Sequence, residues 1–271
     1  MPLLAWIIFF TAIGGIASAA FAGLFLLVPE AAGKRLLPHF ISYATGALLG
    51  AALLALLPDA IEGVGPEGAH AIGAALLIGL GIFFVIEKLV LWWHTHANGH
   101  YASGHEHNHA GHDHHHHDHS RDAASGVLVI IGDSVHNALD GVLIAAAFLT
   151  NFPLGLVTTF AVAAHEIPHR VGDFAILVHS GMSRRRALIM NMATGLTSII
   201  GGIAAYFGLQ RAIGALPYAL ALAAAGFLYI AVAGLIPGLH RRADPRTSLA
   251  QVILMGLGVG TIAWAESLAH Q

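Results

Sequence analysis

The sequence predicts an all-α membrane protein with eight transmembrane helices and with both ends of the chain outside the cytoplasm. Of its 271 residues, 56% are hydrophobic and 10% are Asp, Glu, Lys or Arg, whereas a soluble domain carries about 25% charged residues. So few charges cannot cover a water-facing surface, which argues against an ordinary soluble enzyme. The apolar residues form long continuous runs, and these favour helices over the alternating strands of a membrane barrel.

The apolar runs are long enough to cross the hydrocarbon core, because a helical span needs roughly 20 mostly apolar residues. The first run has no basic region before it, so we expect a membrane helix there and not a cleaved signal peptide. Spaced small residues such as Gly46 and Gly50 are typical of close helix packing in lipid. The predicted spans cover residues 3–28, 39–61, 69–93, 125–150, 152–180, 186–208, 216–238 and 247–268.

The basic residues predict the orientation of the bundle. Most of the 12 lysines and arginines lie on one side of the predicted membrane, while Arg211 lies opposite and Arg170 lies within the fifth span. By the positive-inside rule, the basic side faces the cytoplasm. The residues on this side are Lys34, Arg35, Lys88, Arg121, Arg184, Arg185, Arg186, Arg241, Arg242 and Arg246.

One connection is long, and it is rich in histidine. Residues 94–124 join the third and fourth spans, whereas the other connections are short, so we expect a single transmembrane domain over residues 1–271. With Gly, Asn, Asp and Ser around them, these histidines cannot form a packed core. We therefore expect a disordered cytoplasmic loop that holds metal loosely, since imidazole binds transition metals; a solvated polar tract or a pH-responsive charge are the alternatives. The expected loop ligands are His105, His107, His109, His112, His114, His115, His116, His117 and His119.

The fourth and fifth spans carry most of the ionisable residues within the predicted membrane. Such residues cost about 2.5–3.5 kcal/mol each at the centre of a helix, which makes them functional candidates. Their spacing of three, four or seven residues places each set on one helical stripe. The fourth span contributes Asp133, His136, Asn137 and Asp140, and the fifth contributes His165, Glu166, His169, Arg170 and Asp173.

The two stripes are expected to meet at one depth in the membrane. The spans are joined by a short turn near residues 151–153, so they are antiparallel neighbours, and each stripe lies at a similar distance from the turn. Converging imidazoles and carboxylates predict a site for a divalent metal. Pro168 removes a backbone donor and leaves the Ala164 carbonyl free to face the site. The alternative is a structural polar network that joins two helices.

The paired motifs resemble those of the ZIP (Zrt/Irt-like) divalent metal transporters. The resemblance covers the whole chain and is carried by His136-Asn137-x-x-Asp140-Gly141 and by His165-Glu166-x-Pro168-His169. It implies an eight-helix transporter that moves zinc, or else iron, manganese or cadmium, into the cytoplasm. It also implies a first metal subsite and a second one. Asp133 and Asp173, which share the same helical stripes, are the candidate accessory ligands. The first subsite would be His136, His165 and His169, and the second Asn137, Asp140 and Glu166.

Further expectations concern the partners and the location. We expect divalent metal ions and the lipid bilayer as partners, a homodimer, no organic cofactor and, from the net charge of −3, no nucleic acid. A multi-pass protein of the bacterial inner membrane is expected. Asp59 and Glu62, near the outer end of the second span, either guide cations to the entrance or are solvated interface residues. For His179 and His240, near inner ends, we expect placement at the membrane interface, with a role as exit ligands as the alternative.

Three features depart from the family pattern. Many members carry an acidic residue at the position of Arg170, a ligand at that of Ala55, and acidic residues at those of Gly234 and Gly238. Arginine keeps its positive charge, and a carboxylate four residues earlier in a helix can pair with it. We expect that Arg170 pairs with Glu166 or Asp140 and replaces a second metal; the alternative is that it pairs elsewhere.

Two other functions compete with transport. One is a ZIP-like sensor or partner subunit that binds metal without moving it. The other is an intramembrane metalloprotease, because residues 165–169 read His-Glu-x-x-His. Against it, the Leu139-Asp140-Gly141 element precedes this motif, whereas in site-2-type proteases the corresponding element follows it.

Overall fold

The computed structural model describes residues 2–25, 28–99, 116–240 and 245–269, and every regular element within these ranges is helical. The prediction of an all-α protein is therefore confirmed for this part of the chain. The helices are α1 (residues 3–25), α2 (30–64), α3 (Ala69–Gly99), α4 (His116–Thr150), α5 (Phe152–His179), α6 (Arg184–Gln210), α7 (216–239) and α8 (Pro245–Ala269).

Three of these helices contain a π-helical turn. It lies at Ile13–Ala17 in α1, at Ala51–Leu56 in α2 and at Ile230–Leu235 in α7. Such turns interrupt the regular hydrogen bonding of a helix and are frequent at functional sites. Ala55 and Gly234, two of the positions that depart from the family pattern, lie in the turns of α2 and α7, where neither offers a metal-binding side chain.

Within the described ranges, six helical segments are long and apolar enough to cross a membrane. The exceptions are α4 and α5, with 35 and 28 residues, whose polar stripes lower their hydropathy. A multi-pass membrane protein is thus supported, while the full set of eight spans and the side on which the termini lie stay predictions. The six segments are Leu3–Leu24, Arg35–Val64, Pro66–Leu89, Arg184–Gln210, Ile213–Leu239 and Thr247–Leu268.

Helix α4 packs against α1, α5 and α6, and its contact with α6 is the most extensive between any two helices described. The backbones approach closely where Gly141 faces the Ser198 carbonyl and Gly201 faces the Ala138 carbonyl. A Cβ atom at either glycine would overlap the facing backbone, so glycine is required at this crossing. Similarly, Gly46 brings α2 against the backbone of α8 at Met255.

The apolar core and the polar stripes occupy different halves of the α4–α5 pair. Buried apolar residues 143–148 of α4 and several between 154 and 162 of α5 lie near the connecting turn and form part of one cluster with α2 and α7. The polar stripes, at residues 133–140 and 165–173, lie farther from that turn. The packed half therefore holds the two helices in a defined register beside the polar half.

The prediction of a disordered loop over residues 94–124 is wrong at both ends of that range. Helix α3 continues to Gly99 and α4 begins at His116, so residues 94–99 and 116–124 are helical. Once a helix leaves the membrane, water solvates its polar side chains while its backbone hydrogen bonds continue. His116, His117 and His119 lie in the first turns of α4, whereas His105, His107, His109, His112, His114 and His115 lie outside the described residues.

Candidate metal site

The turn between α4 and α5 is short and well capped. The Asn151 side chain accepts a hydrogen bond from the Leu154 amide at 2.7 Å, which satisfies one free donor at the start of α5. It also donates to Asp59 Oδ2 at 2.9 Å, which ties the end of α2 to this turn. The predicted antiparallel pairing of these two helices is confirmed, and α5 continues through Pro168 without ending.

Four side chains of the two stripes converge on one point. Each of His136, Asp140, His165 and Glu166 places one ligand atom within 4.8 Å of the other three. His136 Nε2 lies 3.3 Å from His165 Nε2, 3.7 Å from Asp140 Oδ2 and 3.5 Å from Glu166 Oε1. His165 Nε2 lies 3.6 Å from Asp140 Oδ2. We call these residues the four-residue site.

The surroundings of His165 orient its ring toward this point. Its Nδ1 lies 3.1 Å from the Ala161 carbonyl oxygen, so Nδ1 carries the proton and Nε2 presents a lone pair. Metal-binding histidines usually make such a second hydrogen bond, which sets the tautomer and the orientation of the ring. On another side, the Phe227 ring of α7 packs edge-on against His165, with centroids 6.2 Å apart.

Two carboxylate oxygens in the four-residue site lack a hydrogen-bond donor. Asp140 Oδ2 and Glu166 Oε1 are buried and have no hydrogen-bond partner among the described residues. Burying a carboxylate oxygen without a hydrogen bond is costly, even where the other oxygen is paired, as Glu166 Oε2 is with Arg170. A divalent cation between these oxygens and the two imidazole nitrogens would compensate them, and two nitrogens with two oxygens are a suitable set for tetrahedral zinc.

A second group lies beside the first. Asp133, His169 and Asp173 also place one ligand atom each within 4.8 Å of one another. His169 Nδ1 lies 2.9 Å from Asp173 Oδ2 and 3.8 Å from Asp133 Oδ1. The two aspartates are buried, whereas 43% of the His169 side chain is exposed. We call these residues the three-residue group.

The structure groups the predicted ligands differently from the sequence-based expectation. The first subsite was expected to combine three imidazoles, but Asp140 and Glu166 join His136 and His165, and His169 belongs to the three-residue group. His169 follows His165 by four residues in α5, which displaces it by about 6 Å along the axis. Of the expected second subsite, Asp140 and Glu166 lie in the four-residue site, and the side-chain oxygen of Asn137 accepts a hydrogen bond from Arg170.

Arg170 occupies the middle of the polar region. Its side chain is fully buried, and no larger side chain is fully buried among the described residues. Its Nε donates to Glu166 Oε2 at 2.7 Å and its Nη1 to Asp133 Oδ2 at 2.8 Å, while its Nη2 donates to Asn137 Oδ1. The predicted pairing with Glu166 is confirmed, but the second carboxylate partner is Asp133 and not Asp140.

Helix α6 completes the shell around Arg170, and sequence analysis missed this contribution. Nη1 donates to the Asn191 carbonyl at 2.6 Å, to Asn191 Oδ1 at 2.9 Å and to Thr194 Oγ1 at 2.5 Å. In return, Asn191 Nδ2 donates to the Arg170 carbonyl at 2.9 Å. A buried asparagine within an otherwise apolar span was the signal that could have identified α6 as a partner.

Comparisons with known proteins show the family of this chain. The chain matches the family model described as ZIP zinc transporter over residues 3–265. The chain belongs to the ZIP zinc transporter family. It is 29% identical to Zinc transporter ZIP13 of Danio rerio, across 94% of this chain and 86% of that protein. Zinc transporter zipt-7.1 of Caenorhabditis briggsae is 32% identical, across 94% of this chain and 77% of that protein.

Membership of the ZIP family decides between two of the functional alternatives. The family consists of metal transporters and not of enzymes, so the metalloprotease interpretation of residues 165–169 is set aside. A third relative, Zinc transporter SLC39A7 of Mus musculus, is 30% identical across 94% of this chain and 68% of that protein. These relatives come from eukaryotes and lend no support to the expected bacterial inner membrane.

The remaining candidate residues of this ZIP family member lie away from the four-residue site. Asp59 and Glu62 lie near the end of α2, on the side of the α4–α5 turn, and Glu62 is exposed. His179 is the last residue of α5, and His240 is exposed in the turn after α7. None of these four is a member of either ligand cluster found among the described residues.

Proposed function

We propose that the chain moves a divalent transition metal, zinc before iron, manganese or cadmium, across the membrane and into the cytoplasm. One observation carries this proposal. Two buried carboxylate oxygens without a donor, on Asp140 and Glu166, face two imidazole nitrogens within bonding reach of a single ion. Paired imidazoles favour zinc and similar metals over magnesium or calcium, which prefer an all-oxygen shell.

The site is suited to transport because it lies between helices. Its ligands come from α4 and α5, and α7 forms a wall through Phe227. An ion must be bound tightly enough to lose its water and loosely enough to leave. Rocking of one group of helices against another around the site would expose it to each side in turn. The topology we propose has eight spans, with both termini outside and the basic connections in the cytoplasm.

Arg170 sets the number of ions in this proposal. Its guanidinium lies between Asp133, Asn137 and Glu166, where it neutralises carboxylates that would otherwise need a second cation. The four-residue site then holds one divalent ion, and the permanent charge of Arg170 replaces another.

Zinc uptake into sealed proteoliposomes that contain a fluorescent zinc indicator tests the proposal. The unmodified chain should fill the vesicles with zinc, and a panel of divalent ions should rank zinc first. His165→Ala removes a quarter of a four-ligand shell and should lower zinc affinity by at least about tenfold. His70→Ala changes an exposed histidine of α3 and should behave like the unmodified chain. Uptake by His165→Ala at the unmodified rate would refute the assignment.

Binding without transport is a second candidate, and the contacts of Arg170 favour it. By bonding to Glu166 of its own helix, Asp133 of α4 and Asn191 of α6, this side chain ties three helices together, which opposes movement between them. The same vesicles separate the two functions, because a sensor or partner subunit would bind zinc in detergent and leave the indicator unchanged.

A further inference from the structure

The hydrogen bond between Asn151 and Asp59 joins two groups of helices. Asn151 lies in the turn between α4 and α5, and its Nδ2 donates to Asp59 Oδ2 of α2 at 2.9 Å. Helix α4 packs on α1, α5 and α6, whereas α2 packs most extensively on α8 and α7. The bond therefore connects the group of helices that carries the four-residue site to the group formed by α2, α7 and α8.

Close contacts between helices make each group a unit. Gly46 and Gly63 of α2 approach α8 and α7, and Gly141 of α4 approaches α6, so closely that an added Cβ atom would overlap the neighbour. Helices packed in this way move together, because a close-packed interior changes between discrete arrangements and does not deform continuously. A movement between the two groups therefore takes place at their boundary, where Asn151 meets Asp59.

The half of the bundle between the α4–α5 turn and the four-residue site is closed. We call the end at this turn the outer end. Beyond the site, on the opposite side, 43% of the His169 side chain is exposed, so the site opens away from the outer end and toward the cytoplasm in the proposed topology. An ion from the outer side reaches the site only after the closed half has opened. This half contains side chains that are at most 1% exposed, namely Leu56 of α2 and Leu154, Thr158, Ala161 and Val162 of α5.

The two partners of the bond differ in how firmly they are held. Asn151 is fixed, because its Oδ1 accepts from the Leu154 amide at 2.7 Å and caps α5. Asp59 follows the π-helical turn Ala51–Leu56 of α2 by three residues, and interruptions of this kind are places where helices bend. The bond thus joins a fixed cap to the part of α2 that lies beyond a point of bending.

We propose that the hydrogen bond between Asp59 and Asn151 is a latch, which holds the outer end closed while the four-residue site is open to the cytoplasm. Breaking the latch lets the two groups of helices separate at the outer end. Its role in transport rests on the proposed function. One hydrogen bond changes an equilibrium between two states by about twofold to tenfold. Such a bond biases the closed state and still breaks in every cycle.

Exchanging the donor and the acceptor tests the latch. Asn151→Asp keeps an oxygen for the cap of α5, since aspartate caps a helix as well as asparagine does. It removes the donor, however, and places two carboxylates side by side. Adding Asp59→Asn supplies a donor from α2 and restores a hydrogen bond in the reverse direction. We therefore expect the first change to open the outer end and the second to close it again.

A single introduced thiol reports the opening, because the chain contains no cysteine. Thr158 is fully buried, and its hydroxyl has no hydrogen-bond partner among the described residues, so Thr158→Cys breaks no hydrogen bond of that hydroxyl. Thr158 precedes His165 by seven residues and lies on the same face of α5, between the outer end and the site. The rate at which this thiol reacts with a soluble maleimide in detergent measures how often the closed half opens.

The labelling rates decide the proposal. In the Thr158→Cys chain, Asn151→Asp should raise the rate by at least about fivefold, and the exchange of both residues should return it to within about twofold of the starting value. Glu67→Gln changes an exposed carboxylate in the turn after α2 and should leave the rate unchanged. A rate for Asn151→Asp equal to that of Glu67→Gln would overturn the latch, and so would an exchanged pair that reacts as fast as Asn151→Asp alone.

Folding and access of the reagent are controlled in the same experiment. Each variant should show the elution volume and helical circular dichroism of the Thr158→Cys chain, and the thiol of His70→Cys, at an exposed position of α3, should react equally fast in every background. If Asn151→Asp does not fold, Asp59→Ala replaces it, because this change removes the acceptor and leaves the cap of α5 intact. Unchanged labelling in Asp59→Ala would then overturn the latch. Labelling requires no zinc, so a chain that took up no zinc would refute the proposed function, and the labelling rates would still decide the latch.

Discussion

Arg170 shows how one side chain defines a polar site inside a membrane. It is fully buried, yet it donates to two carboxylates, an amide oxygen and groups of α6. Removing one partner of such a buried pair costs about 3–5 kcal/mol, because an uncompensated charge stays behind. The charge of Arg170 and its geometry therefore both contribute to the arrangement of Asp133 and Glu166.

Replacing Arg170 with Glu should create a place for an additional metal ion. The change brings a third carboxylate beside Asp133 and Glu166, and this cluster needs a cation to compensate it. We expect the number of zinc ions bound per folded chain to rise by one, as counted by elemental analysis after dialysis.

Arg170→Lys is the matched control, because lysine keeps the positive charge but lacks the planar, multiply donating guanidinium. It should bind the same number of ions as the unmodified chain, with a lower melting temperature in detergent. Equal zinc counts in folded Arg170→Glu and Arg170→Lys chains would contradict the idea that Arg170 replaces a metal.

Zinc binding should weaken steeply between about pH 7 and pH 5. A metal binds neutral imidazole, and free imidazole side chains have a pKa near 6.5, so protons compete with the ion as the pH falls. His136 and His165 both contribute to the four-residue site, so up to two protons compete for it. Titration with a zinc-chelating dye at several pH values measures this dependence, and a flat profile would assign the binding to the carboxylates alone.

At the scale of helices, the position of the site depends on a close crossing of α4 and α6. Gly141 follows Asp140 directly and lies against the Ser198 carbonyl, and Gly201 lies against the Ala138 carbonyl. The crossing also brings Asn191 and Thr194 within reach of Arg170. The small residues that permit helix packing thus also position the polar groups.

Gly141→Ala should destabilise the protein and weaken zinc binding together. The new methyl group would overlap the α6 backbone, which cannot move as a flexible side chain does, and overpacking of this kind costs about 1–3 kcal/mol. Thermal unfolding in detergent and zinc titration measure the two effects.

Gly73→Ala is the matched control on α3, since no atom lies within 4 Å of a Cβ built there. Its stability should stay within about 0.5 kcal/mol of the unmodified chain. Equal melting temperatures for Gly141→Ala and Gly73→Ala would show that the α4–α6 crossing tolerates a wider separation.

At the scale of the whole molecule, the bundle has an apolar outer surface and an interior that combines an apolar core with one buried polar region. α3 exposes large apolar side chains such as Leu77 and Ile78, at 70% and 61%, which suits contact with lipid or with a second copy of the chain. Arg170, Asp133 and Glu166 are buried where α4, α5 and α6 meet. A membrane therefore stabilises the exterior while the helices satisfy the charges inside.

Deleting residues 100–115 should lower the amount of metal bound but leave transport nearly intact. The segment contains seven histidines and belongs to a connection outside the predicted spans, so its metal is held apart from the intramembrane route. We expect fewer zinc ions per chain and an initial uptake rate within a few-fold of the unmodified value in proteoliposomes. Loss of uptake in a deletion variant that folds and inserts normally would contradict this separation.

The sequence predicted most of the helices but few of the contacts between them. Continuous apolar runs predicted helices, and the short connection at Asn151 correctly predicted that α4 and α5 are antiparallel. The sequence did not predict that α3 extends to residue 99 or that α4 begins at residue 116, because the parts of a helix outside the membrane no longer show a run of apolar residues. The pairing of Arg170 with Glu166 followed from spacing within one helix, whereas its bonds to Asp133 and Asn191 cross between helices and had no such signal.

By itself, the sequence determined that this protein is a helical membrane protein of the ZIP type, and it predicted the candidate metal ligands on two neighbouring helices. Composition and helical periodicity are local properties, so they can be read without coordinates. Only the tertiary structure decided that Glu166 directs one oxygen at His136 and the other at Arg170, and that His169 joins Asp133 and Asp173. The rotation and separation of α4, α5 and α6 decide these distances, and backbone contacts such as Gly141 with Ser198 set that geometry.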